Sequence, residues 1–205
     1  MTAPPVPGPQ LKAALRRQVL ERRRAVHAAR HVHAAADLAQ RVAGEIHGLG
    51  NKIAGYWPIG EELDCRPALA ALRAAGAEVA LPVVEGPGEV LFFRTWHPGD
   101  PLDSGPFGTS HPSRRAAVIA PTILLLPVLA FDHTGQRLGY GAGYYDRTIA
   151  ALRRERTIVT VGLAYDEQEV DAVPVGRHDQ SMDAVITDRR TLWFNPAAKA
   201  RLSGG

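Results

Sequence analysis

The stretch Ile123-Leu124-Leu125-Leu126-Pro127-Val128-Leu129-Ala130-Phe131-Asp132-His133-Thr134-Gly135-Gln136-Arg137-Leu138-Gly139-Tyr140-Gly141-Ala142-Gly143-Tyr144-Tyr145-Asp146-Arg147 decides how the chain is read. Ile123 to Pro127 is a continuous apolar run, as expected for a strand at the centre of a sheet covered on both faces. The last residues open a helix predicted over Tyr144 to Arg154. Between them lie Gly135, Gly139, Gly141 and Gly143, the cation Arg137, three tyrosines, and the carboxylates Asp132 and Asp146. Glycine permits positive φ and close backbone approach. A strand, a Gly-rich turn and a helix N-terminus aim several N–H groups at one spot, which attracts phosphate. The spacing Gly139-x-Gly141-x-Gly143 is neither a Walker loop nor the dinucleotide fingerprint. Alone it reads as a flexible turn or as an anion site. Arg137 before it and Tyr144-Tyr145-Asp146 after it favour the anion site.

Working outward, Lys52 to Trp57 reads as a strand ended by Pro58. Ile59 to Asp64 is a loop, and Pro67 stands near the first position of a helix over Ala68 to Ala75. Gly76 closes that helix, and Ala77 to Val84 is the next strand. This β-loop-α-loop-β order predicts a parallel sheet with a right-handed crossover, in which loops at the carboxyl ends of strands carry ligands. Trp57 and Glu62 sit on such a loop. Trp57 also reads as core packing, and Glu62 as an exposed charge at a helix start. Val90 to Trp96 is a further strand, and Pro98 to Pro112 a long Gly/Pro-rich loop that holds Phe107. Downstream, Thr157 to Gly162 and Ala184 to Thr187 read as strands, with a loop at Pro174 to Asp179.

At 205 residues the chain predicts one domain with a real core, and its 45% hydrophobic and 22% charged residues are those of a globular protein. The predicted division is a disordered leader over residues 1–9, a single domain over 10–195 and a frayed tail over 196–205. The leader holds four prolines and no apolar h-region, unlike a signal peptide. No segment reaches the roughly 18 apolar residues of a membrane helix. One cysteine, Cys65, excludes an internal disulfide and fits a reducing cytoplasm. Gln10 to Arg30 and Ala34 to His47 read as two helices, the second ending at Gly48 and Gly50. On the first, Lys12 and Arg16 are four apart and share a face, where an anion between them would relieve their repulsion. Arg16, Arg17, Arg22, Arg23 and Arg24 read as a solvated helix face rather than a nucleic-acid surface, since no aromatics interleave them. The histidines near 27–33 read as surface residues, with no partner at metal-ligand spacing.

A Gly-rich anion cradle, helix cations, and carboxylates at Asp146 and Asp179 point to nucleotide-dependent chemistry, because carboxylates beside phosphate oxygens commonly hold Mg²⁺. They do not separate a kinase, a ligase and a sugar-phosphate enzyme. The run Leu126-Pro127-Val128-Leu129-Ala130-Phe131-Asp132, Gly135 and Arg137 to Arg147 resembles the signature of the 5-formyltetrahydrofolate cyclo-ligase family, also called methenyltetrahydrofolate synthetase. The resemblance spans about residues 11 to 190. Lys12-Ala13-Ala14-Leu15-Arg16, Glu62-Leu63-Asp64, Pro106-Phe107-Gly108, Val161 to Tyr165 with Gln168, Val173-Pro174 and His178-Asp179 resemble its further motifs. It implies a single α/β domain with a largely parallel sheet flanked by helices, similar to the ribose-phosphate isomerase and CoA-transferase group. It implies a monomer that uses ATP and Mg²⁺ to turn 5-formyltetrahydrofolate into 5,10-methenyltetrahydrofolate, ADP and phosphate.

Carried over residue by residue, the resemblance places Lys12 and Arg16 on ATP phosphates. Arg137 and the loop Gly139, Tyr140, Gly141, Ala142 and Gly143, with Tyr144, Tyr145 and Asp146, form the nucleotide cradle. Asp146 and Asp179 hold Mg²⁺. Trp57, Glu62, Phe107, Tyr140 and Tyr144 line the folate pocket. Arg137 serves the chemical step, with Tyr145 as a positioning residue and no dedicated base. The chain departs from the resemblance at Ala142, where many members have Gly or Lys, and at Cys65, where Thr is expected and Asp64 takes over the helix cap. A paralogue with another second substrate and a non-catalytic nucleotide sensor are the rival readings.

Overall fold

In the computed structural model, which describes residues 9–46 and 52–203, the run at 123–127 lies near the middle of an eight-stranded sheet. Elements follow in the order α1 (Pro9–Glu45), β1 (Lys52–Ala54), α2 (Arg66–Ala74), β2 (Glu78–Val83), β3 (Phe92–Thr95), β4 (Leu102–Ser104), β5 (Ser110–Pro112) and β6 (Val118–Ile119). Then come β7 (Ile123–Pro127), β8 (Ala130–Phe131), β9 (Arg137–Leu138), α3 (Tyr144–Glu155), β10 (Val159–Ala164), β11 (Ala184–Thr187), β12 (Thr191–Trp193) and α4 (Pro196–Ser203). The main sheet has the order β12-β11-β10-β7-β1-β2-β3-β6. The five strands from β11 to β2 are parallel to their neighbours, while β12, β3 and β6 pair antiparallel at the edges. The fold is therefore α/β with a largely parallel, mixed sheet flanked by helices.

The burial of β7 explains its composition. Ile123 and Leu125 join the core under α1, α2 and α4, whereas Leu124 and Leu126 join the core on the opposite face. Successive side chains of a strand alternate faces, so a strand covered on both sides needs an unbroken apolar run. Each such side chain contributes about 1.5–3 kcal/mol on burial.

Several expectations are corrected. The two N-terminal helices form one 37-residue element with a kink at Arg30, whose φ of −153° is non-helical. The second half packs Ala34, Leu38 and Val42 into the core. Its expected end at Gly48 and Gly50, and residues 1–8 of the leader, lie outside the described residues. The loop 98–112 is a short ribbon, β4 paired with β5, with Phe107 at its tip. The predicted frayed tail is the helix α4, in which Ala198 and Leu202 are 0% and 2% exposed. Apolar residues four apart give α4 one face to bury, and that packing fixes a short helix that propensity alone would not. Among the described residues, no helix is long and apolar enough to cross a membrane.

Candidate active site

Strand β7 ends at Pro127 and the chain makes the hairpin β8–β9 before the glycine loop. Asp132 ties this hairpin down. Its Oδ1 accepts hydrogen bonds from Thr134 N–H (2.9 Å), Thr134 Oγ1–H (2.6 Å) and Gln136 N–H (3.2 Å). Its Oδ2 accepts from Val173 N–H at 2.9 Å. The carboxylate thus links the strand that feeds the glycine loop to the segment that carries Asp179. Burial alone would raise the Asp132 pKa, but these hydrogen bonds outweigh it and hold the carboxyl below its usual range.

After β9 the loop runs through Gly139 to Gly143, where α3 begins. Gly141 (φ +104°) and Gly143 (φ +70°) adopt positive φ, and Gly139 does not. A Cβ on Gly141 would stand 3.2 Å from the Arg16 guanidinium, and one on Gly143 would stand 2.8 Å from that of Arg147. These two glycines therefore serve both conformation and close approach of cations. Arg16 Nε donates to the Gly139 carbonyl at 2.8 Å, and Arg147 Nη2 donates to the Ala142 carbonyl at 2.9 Å. The side chain at 142 is exposed, so alanine is accommodated there.

Around the first turn of α3, the predicted phosphate and metal residues form one charged network. Arg137, whose side chain is 6% exposed, donates Nη2 to Asp146 Oδ1 at 2.7 Å and Nη1 to the Gln180 carbonyl. Gln180 N–H also donates to Asp146 Oδ1, at 2.9 Å. Lys12 forms an ion pair with Asp179 Oδ2, which accepts Gly176 N–H as well, at 2.7 Å. Burial pushes Asp179 up; the Lys12 ammonium, the Gly176 N–H and the Arg137 charge outweigh it and leave its pKa lowered. Hydrogen bonds involve one oxygen of each carboxylate, and among the described residues Asp146 Oδ2 and Asp179 Oδ1 have no hydrogen-bond partner. Two such hard oxygen donors suit a magnesium ion that keeps several waters. No cluster of three or more His, Cys, Asp and Glu side chains occurs among the described residues, so any metal there would draw further ligands from substrate or water.

A second group lies around Glu62, which is 5% exposed. Its Oε2 accepts Ile59 N–H at 2.9 Å. Burial raises its pKa, opposed by that hydrogen bond, the Arg23 charge and the nearby Tyr140 hydroxyl. Arg23 Nη2 donates to the Tyr140 hydroxyl at 2.7 Å. Tyr145 is buried enough at its hydroxyl that its pKa rises far above the usual range, with the Glu62 charge adding to the rise. It packs against the core and lies within electrostatic reach of both Glu62 and Arg137.

The predicted aromatic residues divide. Phe107 is 71% exposed with φ +60°, and its ring centroid lies 6.2 Å from that of Tyr144. Tyr144 also carries Arg147 over its face at 5.2 Å and donates its hydroxyl to the Gly86 carbonyl at 3.3 Å. Trp57 is partly buried against the core, edge-on to Trp96 at 6.0 Å, with Arg66 stacked on it at 4.8 Å. Its core-packing role and its place beside the Glu62 loop are thus both met. Asp64 accepts Arg66 N–H at 2.9 Å, one residue before the helix cap at Cys65, while Cys65 Sγ–H donates to the Tyr56 carbonyl at 3.1 Å.

The arginine-rich run is not a uniformly solvated face. Arg22 Nη1 bonds the carbonyls of Glu167 (3.1 Å) and Glu169 (3.2 Å), Arg24 meets Glu61, and Arg23 is 2% exposed. Lys12, Arg16, Val19 and Arg23 follow each other at intervals of four, three and four residues, the spacing of one helix stripe. That stripe was the available signal for Arg23. A cleft of about 710 Å³ lies apart from this network, at the far end of α3 between Arg153, Met182 and Phe194.

With this geometry in view, comparisons with known proteins are specific. A model of the 5-formyltetrahydrofolate cyclo-ligase family matches residues 9–188. The chain is 31% identical over 196 residues to the 5-formyltetrahydrofolate cyclo-ligase of Mycolicibacterium smegmatis, covering 90% of this chain and 97% of that one. It is 34% identical over 151 residues to the Escherichia coli enzyme of the same name, covering 71% and 81%. The NMR structure of Aquifex aeolicus 5,10-methenyltetrahydrofolate synthetase is similar with a TM-score of 0.70 at 28% identity, covering 90% of this chain and 93% of that one. The chain belongs to the 5-formyltetrahydrofolate cyclo-ligase family.

Proposed function

We propose that the chain catalyses the ATP-dependent cyclisation of 5-formyltetrahydrofolate to 5,10-methenyltetrahydrofolate, with release of ADP and phosphate. Within the family, the observation that carries this is the charged network of Lys12, Asp179, Arg137 and Asp146 beside the positive-φ glycines 141 and 143. The chemistry demands such a network. The N5-formyl group is amide-like, and its oxygen leaves poorly. Transfer of the γ-phosphoryl group to that oxygen forms one P–O bond and breaks the bridging P–O bond to ADP. N10 then attacks the activated carbon, loses its proton, and the C–O bond to phosphate breaks. The chain contributes positioning and charge neutralisation.

In this reading Lys12, Arg16, Arg137 and the loop Gly139 to Gly143 hold the nucleotide phosphates. Glu62, Trp57, Phe107, Tyr140 and Tyr144 hold the folate. Asp146 and Asp179 would hold Mg²⁺, which would supply neutralisation of phosphate charge. Arg137 reaches the transferred phosphoryl group, and Tyr145 positions the Glu62 side of the site. The protein works as a cytoplasmic monomer, a setting supported by its buried free thiol Cys65.

The test is direct. Protein, Mg-ATP and 5-formyltetrahydrofolate are mixed, and the methenyl product is followed by near-ultraviolet absorbance. An ATP-dependent rise is expected, and its absence would overturn the reading.

A further inference from the structure

Arg23 stands between two loops of the site and is attached to both incompletely. It lies on α1 and is 2% exposed. From the glycine loop, the Tyr140 hydroxyl accepts its Nη2–H at 2.7 Å, and the Tyr140 ring centroid lies 5.7 Å from its guanidinium carbon. From the loop after β1, Glu61 Oε2 stands 3.7 Å from the same nitrogen, an ion pair too long to be a hydrogen bond. Nε and Nη1 are buried and have no hydrogen-bond partner among the described residues. A guanidinium carries five N–H donors, and leaving buried ones unsatisfied is costly. Arg23 therefore makes fewer contacts than its donors allow, and a small approach of either loop would remove part of that cost.

The turn that carries Glu61 is a unit. Residues 59–62 are closed by Glu62 N–H to the Ile59 carbonyl (3.2 Å) and by Ile59 N–H to Glu62 Oε2 (2.9 Å), with Gly60 at φ +56°. A shift of Glu61 toward Arg23 therefore carries Glu62 with it. In the glycine loop, Arg16 Nε fixes the Gly139 carbonyl at 2.8 Å, while Tyr140 is 53% exposed and followed by Gly141 at φ +104°. Helix α1 is the fixed mount, since Val19, one turn before Arg23, is fully buried. We propose that Arg23 is a positioning residue that couples the two loops, so that nucleotide at the glycine loop and folate at the Glu62 loop each tighten binding of the other. The inference rests on the nucleotide and folate assignments above and adds the residue that links them. The first ligand to settle its loop against Arg23 orders the guanidinium and offsets part of the cost of its idle donors. The second ligand then meets a cation already in place, which is positive coupling through shared ordering, reciprocal by linkage. Arg24 also donates to Glu61, at 3.3 Å, but its side chain is 72% exposed, so water screens that pair and the buried Arg23 is the link.

The test is calorimetric binding of 5-formyltetrahydrofolate with and without saturating magnesium and a non-hydrolysable ATP analogue. Wild type, Arg23→Met, Arg23→Lys and Glu61→Ala are compared. Wild type is expected to bind the folate about five- to twentyfold more tightly when the analogue is present. Arg23→Met brings that ratio to within about twofold of one, while each ligand alone binds within a few-fold of wild type. Arg23→Lys, whose compact ammonium replaces the fork, keeps part of the ratio. Glu61→Ala cuts one arm and lowers it, and adding that change to Arg23→Met has no further effect, the non-additivity of one linked unit. A residue that only supports the fold would weaken both ligands alike and leave the ratio intact. A wild-type ratio near one, or a full ratio in Arg23→Met, overturns the coupling. Should Arg23→Met fail to fold by circular dichroism, Glu61→Ala decides, and an undiminished ratio there overturns it. A wild type that does not bind one of the two ligands at all overturns the assignment of that ligand, whereas tight binding of both without coupling overturns only the role of Arg23.

Discussion

At the glycine loop, Lys12 and Arg137 are each paired with a carboxylate, and Arg16 is held by a backbone carbonyl. Around Glu62, a buried carboxylate stands near a buried arginine, Arg23, whose Nη2 donates to the Tyr140 hydroxyl. The carboxyls respond in opposite senses: Asp179 is lowered by its cations, and Glu62 is raised by burial. In the proposed function, a phosphate chain at the first region would meet charges that can exchange partners within a polar environment, and a ring at the second would meet a buried carboxylate and a buried guanidinium.

The largest effect that separates the regions is expected at Arg137. Arg137→Ala should lower kcat about 10³-fold, as for arginines that neutralise a transferred phosphoryl group. It should leave the folate Kd within a few-fold, measured by steady-state kinetics and calorimetry. A loss of folate binding of the same size would merge the two regions. Asp146→Asn should cost about 10²-fold in kcat/KM while circular dichroism stays native. Raising Mg²⁺ should recover part of it, and near-normal turnover would remove the metal role.

At the other end, Glu62→Gln should raise the folate KM about 10- to 100-fold with the ATP KM unchanged. The pH dependence sharpens this. Because the folded Glu62 pKa is raised, its contribution to the stability of the folded chain is present below the unfolded value, about 4.3, and is lost as pH rises through the folded value. Ligand binding that uses the carboxylate must therefore strengthen over that same rise, and the Gln variant should lack that limb. Asp179 and Asp132 carry the reverse sign. Their stability is present above about 3.9 and is lost as pH falls through their lowered values. Asp132→Asn should cost about 1.5–3 kcal/mol in urea unfolding at pH 7 and flatten the acid limb.

The smallest effect is expected at the ribbon tip. Phe107→Gly removes a non-glycine residue from the left-handed region, worth roughly 1 kcal/mol. Its ring is 71% exposed, so little burial is lost. Thermal unfolding should rise slightly while the folate KM increases. A lower unfolding temperature with an unchanged folate KM would mean that Phe107 packs structurally.

The legibility of the sequence differed along the same division. The apolar run of β7, the glycine loop and α3 are contiguous, and local patterning fixes them, so their positions were readable from composition and spacing. Lys12, Arg16, Asp146 and Asp179 were readable as motif residues, but the pairing of Lys12 with Asp179 across the fold was not. Arg23 was hidden because its surroundings look like a solvated charge run, and only the stripe it shares with Lys12 and Arg16 separates it from Arg22 and Arg24. The edge strands β6 and β12 span two and three residues, too short for a period to register. Helix α4 is short and alanine-rich, and its order comes from the buried Ala198 and Leu202, which propensity does not report.

The contact between Lys12 and Asp179 joins positions 167 residues apart. At roughly 5–20 residues per second, a ribosome needs on the order of ten to thirty seconds to deliver the second after the first. Until Gly139 is made, the basic stripe of α1 has neither Asp179 nor the Gly139 carbonyl to settle on, and Asp179 arrives only after a further 40 residues. This charged network therefore waits for the last quarter of the chain, and a chain released before Asp179 has no way to assemble it.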